Sequence, residues 1–417
     1  MNPARRYALV SFLTWLPPGL MMAPMVLLMT GRGLSLTEVG VTLTVFSVVT
    51  ITLELPTGGL SDVIGRRTVL AASAAVSVCV TAMFAFATTF TMFLAAAVLK
   101  GVARALSSGP AEAWYVDTLH AAEGPHADIR PGLARGSAMG SIALGAGMLA
   151  GGFLPLAVPA EVIFPLAVPP LLASVAAAAL LVVVLFALPE PSHGRRSLGV
   201  VLREVPATVV AGLRLALAGP VLRRLMLYSV ANGLALTAIE LLTPGRLADL
   251  AGTAEQGTTA YAVVAALGFA GSAIGSSLGP RLARIAGSNN RGAVAGVVLT
   301  SASLGALAAT AGLDGVAGLV TAGIAYITMF VGISGTGLLT QAMRHDAVTA
   351  AERGTMTSIS SLTLQAGGAL SATGLGLLAQ AAGVSAAWAL VAVVVLTASL
   401  LFLRMPAQVR AEVKVPA

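Results

Sequence analysis

Charged and amide side chains are scarce in this chain, so those that interrupt its apolar stretches are the first candidates for chemistry. Glu54, Lys100, Arg104, Glu112, Asp117, Asn232, Glu240 and Gln365 all fall inside or at the ends of such stretches. A carboxylate beside a fixed cation can exchange a proton as its surroundings alternate between wet and dry, because burial raises its pKa and the cation lowers it. Glu54, Arg104 and Glu112 are therefore expected to form a coupling network, with structural pairing near the inner surface as the alternative for the two acids. Lys100 stands four residues before Arg104, on the same helical face. It either serves the same site or snorkels outward. Glu240 either attracts a cationic substrate or edges an external loop, and Asn232 and Gln365 add neutral polarity. A second cluster is the run T-G-G-L-S-D-V-I-G-R-R-T-V-L from Thr57 to Leu70. Its carboxylate, glycines and arginine pair are expected to form a tight turn between two membrane-length segments.

The elements that position these residues follow from composition. The chain has 417 residues, 57% hydrophobic and only 10% charged, with a mean hydropathy of +0.91. A soluble domain carries about 25% charged residues. Apolar stretches of about 20 residues, each able to cross a hydrocarbon core as a helix, recur from end to end. Backbone polar groups in lipid must be satisfied within the segment, and strand-like alternation is missing, so the fold class is an all-α membrane protein. Twelve spans are expected, near residues 7–29, 39–57, 68–88, 91–115, 136–158, 162–188, 224–245, 257–278, 292–312, 315–340, 354–380 and 384–404. Arg5 and Arg6 precede the first of them without a convincing cleavage site, so it reads as a retained span.

Several function classes drop out. A net charge of +7 does not indicate nucleic acid here, because the basic residues sit in short loops between spans, as orientation signals do. Cys79 is the only cysteine, which excludes disulfides and cysteine-metal sites, and His120, His126, His193 and His345 lack zinc spacing. No P-loop is present, and no catalytic constellation or cofactor motif, so neither an enzyme nor a metal or cofactor is expected.

Twenty of the arginines and lysines fall in one alternating set of loops and termini, and only Arg32 and Arg246 in the other. That asymmetry places both termini in the cytoplasm of a multi-pass plasma (inner) membrane protein. Residues 198–219 are apolar enough to suggest a thirteenth span, but Arg203, Glu204 and Arg214 would then lie in hydrocarbon at about 2.5–3.5 kcal/mol each. An interfacial amphipathic segment is the better reading, with Pro206 near a helix start and Gly219-Pro220 as its stop. The expected organisation is a six-helix bundle over 1–188, a basic cytoplasmic linker over 189–223, and a second six-helix bundle over 224–417. The stretch Gly279–Gly287 (G-P-R-L-A-R-I-A-G) echoes the Thr57–Leu70 cluster without its acid. Two six-span halves related by such a repeat are the pattern of alternating-access transporters.

Gly58, Leu60, Asp62, Gly65, Arg66 and Arg67 fill every defined position of G-x-L-x-D-x-x-G-R-R, and on this motif the chain resembles the major facilitator superfamily. The resemblance implies a pseudo-twofold pair of bundles, with Asp62 and Arg66 in a charge network that latches the cytoplasmic side. Arg104 to Gly109 loosely resembles the arginine-glycine pattern of span 4. Ser108-Gly-Pro-Ala-Glu112-Ala-Trp-Tyr-Val-Asp117 and Glu54-Leu-Pro56-Thr-Gly58 are similar to bacterial drug-efflux-type members. Gly147, Gly151 and Gly152 retain the glycines of the antiporter signature G-P-x-x-G-G in span 5, the hinge helix, but Met148 replaces its proline. The function implied is secondary, proton-coupled export of a small amphipathic or hydrophobic compound (a drug or metabolite, with antibiotic resistance as the expected phenotype). The alternative is proton-coupled nutrient uptake or an uncoupled facilitator. The expected partners are the substrate, protons and the lipid bilayer, with the protein monomeric. Met21, Met22 and Met25 near Pro17, Pro18 and Pro24 mark span 1 as deformable and either pocket-facing or lipid-packed.

Overall fold

The computed structural model describes residues 2–189, 219–349 and 352–403, together with positions 199, 210, 214–217 and 405. Most of the expected amphipathic linker segment, with Arg203, Glu204 and Pro206, lies outside the described residues, as do His193 and the last arginines of the chain. No strand occurs among the described residues.

The helices are α1 (Pro3–Met22), α2 (Met25–Gly31), α3 (Leu36–Ile64), α4 (Arg66–Phe86), α5 (Phe90–Ser107), α6 (Pro110–Glu123), α7 (Arg130–Phe153) and α8 (Val168–Ala187). They continue with α9 (Pro220–Ala251), α10 (Ala254–Ala286), α11 (Asn289–Ala309), α12 (Gly315–Asp346), α13 (Arg353–Ala382) and α14 (Val384–Ala398). Eleven segments are long and apolar enough to cross a membrane, and α1 with α2, bent by 43° at Ala23-Pro24, makes a twelfth. All twelve expected spans are therefore present.

Local chemistry explains the boundaries. Ser35 and Glu38 form a reciprocal capping box at the start of α3. Thr89 and Ser288 cap α5 and α11. Pro24 removes a backbone donor between α1 and α2, where the bend falls.

Two expectations are corrected. The Thr57–Leu70 cluster is not a turn throughout: α3 stays helical to Ile64, and only Gly65, at φ +95°, breaks the chain before Arg66 opens α4. A left-handed residue is what ends a helix abruptly, and glycine adopts it without steric cost. Span 4 is not one helix but two. Gly109, also at φ +95°, separates α5 from α6, and Pro110 occupies the first turn of α6, where its missing N–H costs nothing.

The chain divides into two compact units, Met1–Pro206 with Leu247–Val263, and Ala207–Arg246 with Val264–Ala417. In the first unit α1 lies backbone to backbone on α7. Gly147 and Gly151 leave no room for a Cβ against the main chain of Leu16 to Leu20, and Gly19 does the same against Leu144. Tyr7 and Tyr115 stack at 5.0 Å, in a core that includes Trp114 and Leu119. The Trp114 indole donates to Pro189 O at 2.8 Å, so this tryptophan is a buried strut. Met21 and Met25 are buried as well. In the second unit α9 and α13 repeat the arrangement, with Gly233 against Leu364 O and Gly367 against Val230 O. Small residues are the usual means of close helix approach where lipid supplies no hydrophobic drive.

Candidate functional site

The first unit carries two clusters of charge, and both are built around α5 and α6. The first starts at Gly101, whose hydrogen faces Phe46 O and Val49 of α3 at distances a Cβ would not tolerate. That gap draws α5 onto α3. Thr57 Oγ1 then donates to Ala105 O at 2.9 Å, and Ser73 Oγ of α4 donates to Ala103 O at 2.8 Å. Ala105 O also accepts from the Ser108 backbone N–H at 3.3 Å, so Thr57 adds a second donor to a carbonyl in the last turn of α5, at the α5/α6 break.

Glu54, one turn before Thr57, meets the break itself: Ser108 Oγ donates to Glu54 Oε1 at 3.1 Å. Glu54 also lies in electrostatic reach of Arg104. The Arg104 guanidinium stands 5.1 Å from the Trp15 ring of α1, a cation–π contact. Lys100, about 6 Å further along α5 at 1.5 Å per residue, places Nζ 3.1 Å from Met25 Sδ and above the Phe46 and Phe84 rings at 4.9 and 5.7 Å. The ammonium is thus turned towards α2, α3 and α4. Glu112 is exposed in the first turn of α6 and interacts electrostatically with Tyr7. The structure therefore unites Glu54, Arg104 and Lys100 along one seam and links Glu112 to Tyr7.

The second cluster holds the signature arginines. Arg66 Nη1 pairs with Asp117 Oδ2 at 2.7 Å, with side chains 15% and 33% exposed. Asp117, expected among the coupling residues, thus joins the loop motif to α6. Arg67 donates to Leu185 O of α8. Asp62 and Gly58 stand in the last turns of α3, and their side-chain positions lie outside the described residues. Gly65 supplies the break, and Leu60 is half-buried on α3. Of the span 5 glycines, Gly147 and Gly151 seat α7 on α1, whereas Gly152 faces Ala262, and its carbonyl accepts from Thr259 Oγ1 at 2.7 Å. Met148 is fully buried between them.

In the second unit, Asn232 and Glu240 are half-buried on α9, and Gln365 on α13 reaches Ser361 Oγ at 3.5 Å. Residues that sequence reasoning passed over are Arg344, Tyr228 and Thr336. Arg344 Nη1 donates to Ser229 Oγ at 3.3 Å, and the buried Tyr228 hydroxyl is hydrogen-bonded to Thr336. Arg344 was counted only as a loop charge because it follows the apolar part of α12. The signal available was Tyr228-Ser229, two adjacent hydroxyls one turn inside the span expected to start at 224. Among the described residues no cluster of histidine, cysteine and carboxylates could hold a metal ion.

A helical membrane protein with twelve spans, a glycine-broken loop carrying an arginine pair, and charges along a broken fourth span belongs to the solute carriers that work by conformational change. The Major Facilitator Superfamily profile matches residues 7–346, and the chain belongs to that family of transporters. None of the curated proteins compared matches the chain. Among solved structures, the nucleoside transporter NupG is similar over 96% of this chain and 98% of its own, with a TM-score of 0.78 at 13% identity. A POT family transporter in complex with a thioalcohol-conjugated peptide is similar over 96% of this chain and 95% of its own, with a TM-score of 0.69 at 15% identity. At these identities the likeness is one of fold.

Proposed function

We propose that the protein is a proton-coupled exporter of a small amphipathic or hydrophobic compound, placed in the plasma membrane with both termini in the cytoplasm. The observation that carries the reading is the Glu54 carboxylate, held between Ser108 at a helix break and Arg104 inside the membrane. A carboxylate beside a fixed cation at a helix break is the group we assign to carry the coupled proton. The broken helix supplies the moving part, and the Trp15 ring, with the half-buried Phe46 ring, supplies apolar surface for an amphipathic body. Arg66, Arg67 and Asp117 tie the signature loop to α6 and α8 and act in gating, the role that the motif with Asp62 implies. The alternating arginines of the loops support the orientation.

Everted vesicles containing the protein test this with ethidium as the probe and a quenched amine dye as the proton reporter. Ethidium uptake should dissipate an imposed inside-acid gradient, and Glu54→Gln should uncouple the two. Probe movement that ignores the gradient refutes the coupling. The second reading, proton-linked uptake or facilitated passage, is favoured by one observation: Met148, buried in α7, stands where the antiporter signature has proline. Uptake in right-side-out vesicles driven by an inward proton gradient would select it.

A further inference from the structure

The echo Gly279–Gly287, with Arg281 and Arg284, has no part in the proposed coupling or gating, yet it borders a cavity of about 640 Å³ in the second unit. Pro280, Ala283, Leu338, Leu339 and Ala342 make its apolar wall, and Arg284, Ser288 and Asn289 its polar end. Its size falls in the range that holds a small organic group. Arg281 and Arg284 are exposed and stand one turn apart on α10. Neither has an ion-pair or hydrogen-bond partner among the described residues. Gly279 to Arg291 contains no acid. Asp346, the acid at the end of α12, lies one turn beyond Ala342 and is not among the lining residues.

A third feature gives the site its direction. Ile274, Leu278 and Ile285 are exposed, at 52%, 41% and 86%. With Arg281 they follow the spacing i, i+4, i+7, i+11 and so form one stripe along α10. An apolar stripe interrupted by a cation, beside a pocket with a second cation, matches a phospholipid: acyl chain along Ile274 and Leu278, phosphate between the arginines, polar head in the cavity. Basic pockets between spans are the known resting places of acidic head groups. We infer that the groove formed by α10, α11 and α12 at Arg281 and Arg284 binds an acidic phospholipid from the surrounding leaflet. The inference does not depend on what the protein transports.

Native mass spectrometry of the detergent-purified full chain tests it, with dioleoyl-phosphatidylglycerol and dioleoyl-phosphatidylcholine added in equal amounts. The wild type should retain the acidic lipid preferentially. In Arg281→Gln/Arg284→Gln the preference should fall about thirtyfold, which corresponds to about 1 kcal/mol for each arginine. Arg130→Gln/Arg135→Gln, which removes two exposed arginines of the first unit, should leave it unchanged. Arg284→Gln alone serves if the double variant does not fold, with a fall of about fivefold. An unaltered preference in the α10 variants overturns the inference. So does full displacement of the lipid by inorganic phosphate, since the groove would then hold a free anion and not a lipid.

Discussion

Replacing Gly151 by alanine tests whether the seam between α1 and α7 is set by backbone contact. A Cβ there would stand 2.9 Å from Leu20 C and 3.1 Å from Leu20 Cα, and closer still to Leu20 O. Ordinary contact begins at 3.4 Å, so these carbon contacts alone require α1 and α7 to part by 0.5 Å. Main-chain atoms cannot rotate away. A gap of about 0.5–1 Å forfeits a quarter to a half of each dispersion contact along the seam, and overpacking of this kind costs about 1–3 kcal/mol. Alanine regains about 1 kcal/mol of helix propensity at either site. Gly145, six residues earlier on α7, has nothing within 4 Å of its would-be Cβ and is the control. Gly145→Ala should therefore match or exceed the wild type, and Gly151→Ala should fall about 1–3 kcal/mol below that control. At about 2–4 °C per kcal/mol for domains of 150–250 residues, the two variants should separate by several degrees in a thermal scan of the detergent-solubilised protein. Equal melting temperatures would refute the close-contact argument and leave the span 5 glycines without a packing role.

A double-mutant cycle on Arg66→Gln and Asp117→Asn should return a coupling energy of about 1–3 kcal/mol, read from melting temperatures; a value near zero would remove the ion pair from the loop's stabilising contacts. Tyr228→Phe should cost about 1 kcal/mol, because it removes the hydroxyl bonded to Thr336 and keeps the ring against Phe402 at 5.1 Å. Tyr228→Ala should cost about 3–5 kcal/mol, since the ring goes too. The Glu352 carboxyl is held below its ordinary value by the backbone N–H and hydroxyl of Thr349, at 2.9 and 2.7 Å. That contribution is complete above the unfolded pKa and disappears as pH falls through the lowered folded value. Thr349→Ala should raise the carboxyl's midpoint in an infrared titration, and an unmoved midpoint would deny the hydroxyl's part.

The spans and their number were legible because twenty apolar residues in lipid have one solution. The breaks within them were not equally visible. Ser108-Gly109-Pro110 carries a turn signature, yet the apolar residues on both sides masked it, and span 4 read as continuous. Gly58 and Gly59 pointed to a turn and were absorbed into a helix that runs on to Ile64. Arg104 and Glu54 were found from charge alone, since a charge in hydrocarbon is costly enough to be informative. Their contacts with Ser108 and Trp15 were not legible, because neither residue type is unusual in a span. The ion pair of Asp117 was not legible: its partner, Arg66, lies 51 positions away and only the fold brings them together.

The seams at Gly151 and Gly233 join main chain to main chain, without an intervening layer of side chains to compress or re-order. Such pairs are stiff in shear. Compliance must then reside where the helices are interrupted, at Ala23-Pro24 and at Ser108-Gly109. Elastic strain imposed on the first unit would accumulate at those two joints, so an added crosslink there should freeze the unit, while one across α1 and α7 should pass unnoticed.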